Sequence, residues 1–146
     1  MKKLLILIFI LVAITSCTDD SVKNLQDELL GTWELIQFQD QTSSTIMSDL
    51  DNFGTIIITF NKEAFEGNTG SNSFFGGYTN ESNVLVFSEF GITEVGESEW
   101  GSKFLDAIVS TRNASNNNYI LSYIIEGATL KIEYEPNRVM HFEKNE

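Results

Sequence analysis

Beyond the first thirty residues the chain reads as short runs of alternating apolar and polar positions, each closed by Gly, Asn, Ser or Asp. A spacing of two, rather than 3.6, marks strands with one buried and one wet face. The runs predict strands over Thr32–Phe38, Thr55–Phe60, Ala64–Thr69, Phe74–Thr79, Val84–Phe87, Tyr119–Ile125, Thr129–Tyr134 and Val139–Glu143. Several connections are hairpin-sized. Asn61-Lys62-Glu63, Glu126-Gly127-Ala128 and Glu135-Pro136-Asn137-Arg138 carry turn chemistry, so consecutive strands are expected to pair antiparallel. In Thr129–Tyr134 the residues Leu130, Ile132 and Tyr134 share the inner face. The segment Tyr119–Ile125 is apolar on both faces, with Ile120 and Ile124 opposite Leu121 and Tyr123, and needs a cover.

The expected cover is the long helix. Within Ser98–Arg112, Trp100, Phe104, Ala107, Ile108 and Thr111 recur at helical spacing and lay one apolar stripe along a face. Glu97 and Glu99 near its start and Arg112 near its end suit the helix dipole, and Asn113–Asn118 ends it with residues that prefer turns. A shorter helical stretch, with Val22, Leu25 and Leu29 in register, stops at Gly31. The fold class that follows is mainly β with some α. It is an antiparallel, barrel-like curled sheet of about seven or eight strands, with one helix inserted before the last three strands and packed on it. No repeat and no internal linker divides the domain, which is expected over residues 29–146.

The first residues break the pattern. Behind Met1-Lys2-Lys3, Leu4–Ile14 is an unbroken apolar run about 17 Å long as a helix, well short of the roughly 30 Å hydrocarbon core, so it reads as a secretory signal. Ile14-Thr15-Ser16-Cys17 resembles the lipobox of bacterial lipoproteins, which implies removal of residues 1–16 as a signal peptide and diacylglycerol on Cys17. Residues 17–28 would then be the lipidated Cys with its tether and short helix. Two or three acyl chains would hold the chain stably on the membrane. Asp19-Asp20 resembles the signal by which some Bacteroidetes export lipoproteins to the outer leaflet of the outer membrane. The expected location is the cell envelope, lipid-anchored, at the outer membrane.

Composition narrows the chemistry. Nine basic against 21 acidic side chains give a net charge of −12, and loss of Lys2 and Lys3 would make the body more acidic still. Such a surface repels nucleic acid. With 42% apolar residues and 11 Phe, the chain can bury a real core. A single Cys rules out a disulfide framework and any Cys-based zinc site. The one His, His141, sits between Met140 and Phe142 and points outward from its strand. No His pair, Gly-x-Ser-x-Gly elbow or phosphate loop occurs, so triad chemistry is excluded. The segment beginning Asp49-Leu50-Asp51 starts like a calcium loop, but Phe53 and Phe60 stand where ligands are needed. Glu89, Glu94, Glu97 and Glu99 crowd the segment before the helix. Solvated acids on an acidic surface explain them more simply than an ion site or a glycosidase-like pair. No catalytic residue, metal or cofactor is expected.

Leu30-Gly31-Thr32-Trp33-Glu34-Leu35, followed by Gly67-Asn68-Thr69-Gly70-Ser71-Asn72-Ser73-Phe74-Phe75-Gly76-Gly77-Tyr78, resembles the META domain, the HslJ-type heat-shock lipoprotein family. The resemblance runs on through Val84–Phe87, the Ile92-Thr93 step, Phe104-Leu105, and Leu130 with Phe142. The Gly-Thr-Trp opening is also shared with lipocalin-like proteins. Many family members carry Cys where this chain has Ser71 and about Glu97, so both halves of a possible disulfide are absent together. Gly31, Thr32, Trp33, Gly70, Asn72, Gly77 and Tyr78 carry the family motif, and their residue types favour a structural role. Gly70 and Asn72 tolerate a left-handed turn, Gly76 and Gly77 permit close backbone approach, and Phe74 or Phe75 with Tyr78 fills the core. The resemblance implies a compact barrel-like fold, an envelope location and no established catalytic chemistry; the first expectation is a monomeric, non-enzymatic envelope lipoprotein, anchored through Cys17, that acts in stress tolerance or protein–protein contact. The alternative is a lipocalin- or calycin-like binder of a small apolar ligand, for which the barrel would need an interior cavity of several hundred Å³.

Overall fold

The computed structural model describes residues 28–48 and 54–145. The signal segment, Cys17, the tether and residues 49–53 of the calcium-loop-like segment lie outside the described residues. The described elements follow the order β1 (Gly31–Asp40), β2 (Thr45–Ser48), β3 (Ile57–Phe60), β4 (Ala64–Asn68), β5 (Ser73–Glu81), β6 (Val84–Phe87), β7 (Gly91–Ile92), α1 (Glu99–Ser110), β8 (Tyr119–Glu126), β9 (Thr129–Glu135) and β10 (Arg138–Asn145). All pairings are antiparallel. The ring β1-β3-β4-β5-β6-β8-β9-β10 closes when β10 pairs with β1, from Thr32 opposite Asn145 to Asp40 opposite Arg138. Eight strands therefore make a closed barrel. The two short strands lie beside it: β2 continues the β3 edge along the second half of β1, and β7 continues the β6 edge along β5.

Sequence accounts for the details of closure. In β1, strict alternation from Trp33 and Leu35 would turn Gln37 inward and Phe38 out. The β1–β10 register slips between Leu35 and Gln37, so Phe38 returns to the interior, where it is buried. The β5–β6 hairpin turns through Ser82 and Asn83, both at positive φ (50° and 66°), the conformation whose twist matches paired strands. In the β9–β10 hairpin Pro136 presets a negative φ and Asn137 takes 66°. Neither β2 nor β7 was expected. With two residues β7 is too short to show an alternating pattern, the four of β2 (Thr-Ile-Met-Ser) do not alternate, and each pairs with the strand it joins.

The interior is a packed set of rings. Phe65 lies 4.2 Å from Phe87 centre to centre, Phe60 meets Tyr78 at 5.2 Å, and Phe74 meets Phe104 at 5.1 Å and Phe90 at 5.7 Å. These edge-on and offset contacts add to the transfer energy of burying each ring. Leu85, Leu121, Leu130, Ile132, Met140 and Phe142 fill what the rings leave.

The helix does not take the place expected of it. Register puts the ends of β1, β4, β6 and β9 and the starts of β3, β5, β8 and β10 at one rim. The helix lies across that rim as a stopper, with Trp100 edge-on to Phe38 at 4.9 Å and Phe104 against Phe74. Ser98 caps it by accepting the Gly101 N–H, and it ends at Ser110. Arg112, expected inside the helix, lies beyond its end and bridges to Tyr119. The outer face of β8 stays uncovered, with Ile120 and Ile124 42% and 52% exposed. The cause is the connection: Thr93 is hydrogen-bonded to Ser73 at the rim, so the helix begins over the barrel mouth. At the opposite end Leu29 is fully buried, accepts the Trp33 indole N–H through its carbonyl at 2.7 Å, and closes the other opening.

Tyr78→Ala and Phe104→Ala should each cost about 3–5 kcal/mol, because each removes a buried ring and leaves a cavity. Ile124→Ala, at an exposed position, should cost well under about 1 kcal/mol. Urea melts of the three variants check the ordering.

Candidate functional site

Three surface features could carry function: a polar clamp at the rim beneath the helix start, a cleft between the helix and the β9–β10 hairpin, and an exposed aromatic on the outside of β5.

The clamp is built from the Gly70–Asn72 turn. Gly70 takes a φ of 89°. Asn72, expected to share the left-handed conformation, does not; it works through its carboxamide. Its Oδ1 accepts from Val95 N at 2.8 Å and Thr93 Oγ1 at 3.1 Å, and its Nδ2 donates to Val95 O at 3.0 Å and Glu97 Oε2 at 2.8 Å. A buried side chain with every donor and acceptor engaged ties residues 93–97 to the end of β4. The Glu97 carboxylate also accepts from the hydroxyl of buried Thr69 and from Ser98 N at 2.9 Å. Burial pushes its pKa up, but these donors outweigh burial and the net shift is downward. The Glu97 side chain also lies across Gly101, where a Cβ would strike it.

The remaining motif residues serve the barrel's framework. Trp33 is fully buried with the Lys144 ammonium 5.0 Å above its ring, and Gly31 starts the strand at a φ of 115°. Thr32 points outward and hydrogen-bonds Thr59 on the neighbouring strand at 3.0 Å. Gly76 must lack a side chain, because a Cβ there would meet Phe65 Cζ at 2.7 Å and overlap the Glu89 carbonyl. Gly77 accepts from Ser88 N at 3.0 Å. Tyr78 donates its hydroxyl to Asn61 O at 2.7 Å; burial, with Tyr123 nearby, pushes its pKa up to about 12. Phe74 is the core member of its pair and Phe75 faces solvent. His141 pairs with Gln39 across β1–β10 at 2.9 Å, and burial lowers its pKa.

The rim cleft, about 360 Å³, is lined by Met47, Lys103, Asp106, Tyr134 and Arg138 among others. Its charges are largely spoken for: Arg138 bridges to Glu135 at 2.7 Å and Asp40 at 3.5 Å, and Lys103 sits 5.1 Å above the Phe38 ring. The acids Glu89, Glu94, Glu97 and Glu99 do not converge, and among the described residues no three His, Cys, Asp or Glu side chains gather as metal ligands. Trp100 carries the one buried side-chain polar atom without a hydrogen-bond partner among the described residues, its indole N–H. That cost is set against burial of a whole indole beneath the helix.

The chain thus forms a closed eight-stranded antiparallel barrel with a helix across one mouth. No family model matches the chain, and no curated protein matches it. Solved structures do. A protein from Burkholderia xenovorans, determined by NMR, aligns with a TM-score of 0.62 at 15% identity, over 84% of this chain and 87% of that one. A lipocalin-like protein from Bacteroides uniformis aligns at 0.53 and 17%, over 81% and 99%. A DUF4847 family protein from Bacteroides vulgatus aligns at 0.51 and 16%, over 79% and 92%. At such identities the likeness is one of fold.

The sequence held no signal for the Glu97 clamp, since Thr69 and Glu97 stand 28 positions apart. Asn72→Ala should cost about 2–3 kcal/mol, because the buried carboxamide makes four hydrogen bonds, one of them to the Glu97 carboxylate. Glu97 has a folded pKa below its ordinary 4.5, so the stability it contributes is present above about pH 4.5 and lost as pH falls through the folded value. Glu97→Gln should flatten that acid-side loss, as read by urea melts between about pH 3 and about pH 6.

Proposed function

We propose that the protein is a non-enzymatic lipoprotein of the cell envelope, of META/HslJ-like kind, anchored through Cys17 and working by contact between its outer surface and a protein partner. The observation that carries this is the filled interior: the inward positions of the barrel are occupied by interlocked rings, and α1 and Leu29 stop its two ends. A barrel without room inside does its binding outside. The clefts described among its residues are open to the surface. Support for the META-like assignment comes from the motif residues themselves, which the barrel uses as framework: Gly31 and Gly70 take positive φ, and Trp33 and Tyr78 are buried in the core.

The lipocalin-like reading draws on the barrel shape that this chain shares with the Bacteroides uniformis protein. It would require α1 to leave the mouth and several rings to move.

Mass spectrometry of the chain taken from its native membrane should find an acylated Cys17 and no residues 1–16. A retained Met1, or an unmodified Cys17, overturns the anchor. Titration with a fluorescent fatty acid should show no saturable binding in the micromolar range. Saturable binding that changes the emission of Trp100 would establish the lipocalin-like reading instead.

A further inference from the structure

Phe75 is the exposed member of an otherwise buried residue class. The other described phenylalanines are buried or half-buried, whereas Phe75 is 59% exposed on the outside of β5. Leaving that much ring in water forgoes the transfer energy its neighbours gain. Its position is nevertheless fixed. Phe75 pairs directly with Gly91 on β7, and its ring lies across that residue so closely that a Cβ on Gly91 would meet Cζ at 2.8 Å and Cε2 at 2.9 Å. Glycine at 91 lets the ring lie against the strand.

The surroundings are acidic. Register aligns Thr59, Glu66, Phe75 and Gly91 as one outward row across β3, β4, β5 and β7. Two clefts of about 420 and 510 Å³ flank the ring, and Glu66 and Phe75 line both. Glu89 lines the second, and no Lys or Arg lines either. An aromatic face beside carboxylates, on a chain of net charge −12, attracts cations. An apolar guest would desolvate Glu66 without pairing it, and an anionic one would be repelled.

We propose that this outer face of β4 and β5 is a docking surface for a protein partner that lays an arginine or lysine side chain over the Phe75 ring, between Glu66 and Glu89. It rests on the reading of the barrel as a partner-binding body, and it names the face and the chemistry of the contact. The competing explanation is that Phe75 merely shields the Gly91 backbone, as aromatics do opposite glycines in antiparallel sheets.

The test uses the full chain in detergent micelles and a labelled peptide, acetyl-Gly-Arg-Gly-Arg-Gly-amide, with its citrulline analogue as the neutral control. Saturable binding of the arginine peptide alone is expected. Phe75→Leu should weaken it about three- to five-fold, and Phe75→Tyr, which keeps the ring, should not. Glu66→Gln and Glu89→Gln should each weaken it about two-fold. Glu143→Gln, on β10 across the barrel, should leave it unchanged. The proposal is overturned if the arginine peptide does not bind, if Phe75→Leu lowers the melting temperature without changing affinity, or if Glu143→Gln weakens binding as much as Glu66→Gln does. Cross-linking of a partner to the Ile120 and Ile124 face would remove this surface and leave the partner-binding function standing.

Discussion

Everything in this protein follows from the pairing of β10 with β1. When first and last strands of an antiparallel meander join, every inward side chain is committed to one closed volume, and both exposed edges of that sheet disappear. The closed volume of an eight-strand barrel is about what side chains can fill. Here Trp33, Phe60, Phe65, Phe74, Tyr78, Phe87 and Phe142 occupy it. The slip of register at Leu35 belongs to the same closure, because it lets β1 curve while returning Phe38 to the interior.

A barrel sealed along its sides still has two mouths, and the chain closes them differently. At one, Leu29 and the Trp33 indole meet through a single hydrogen bond, with Lys144 reaching both the Glu28 carbonyl and the Trp33 ring. At the other, a whole helix is needed, and its position is set by polar groups rather than by its apolar stripe. The stripe specifies only that the helix must bury one face. Asn72 and Glu97 specify where, by tying the segment before Ser98 to the rim. This is why the apolar outer face of β8 goes uncovered even though a helix stands next to it in the sequence.

Around the packed rings and the two stoppers lies an outer surface that is uneven. Most of it is acidic and solvated. Around Phe75 a ring is held against bare backbone beside Glu66, with Glu89 lining one of the flanking clefts, an arrangement the core does not require.

The amino-acid sequence determined the strands, their antiparallel pairing and the helix, because period-two and period-3.6 patterns and turn residues act locally. The limits of β6 match Val84–Phe87 as read, and β8 and β9 extend the runs read from the sequence by one residue. Ile14-Thr15-Ser16-Cys17 was likewise legible as a resemblance to a lipobox, because a linear motif is read without a fold. What only the tertiary structure decided was which residues meet across long separations. The carboxamide of Asn72 finds Val95 and Glu97 from 23 and 25 positions away. A Gly at 91 is unremarkable until Phe75 lies on it. The two phenylalanines of the motif, adjacent and identical in type, part company only through the pleat: Phe74 points into the rings and Phe75 into water. Side-chain type fixes what a residue can do, but closure of the ring fixes the face on which it does it.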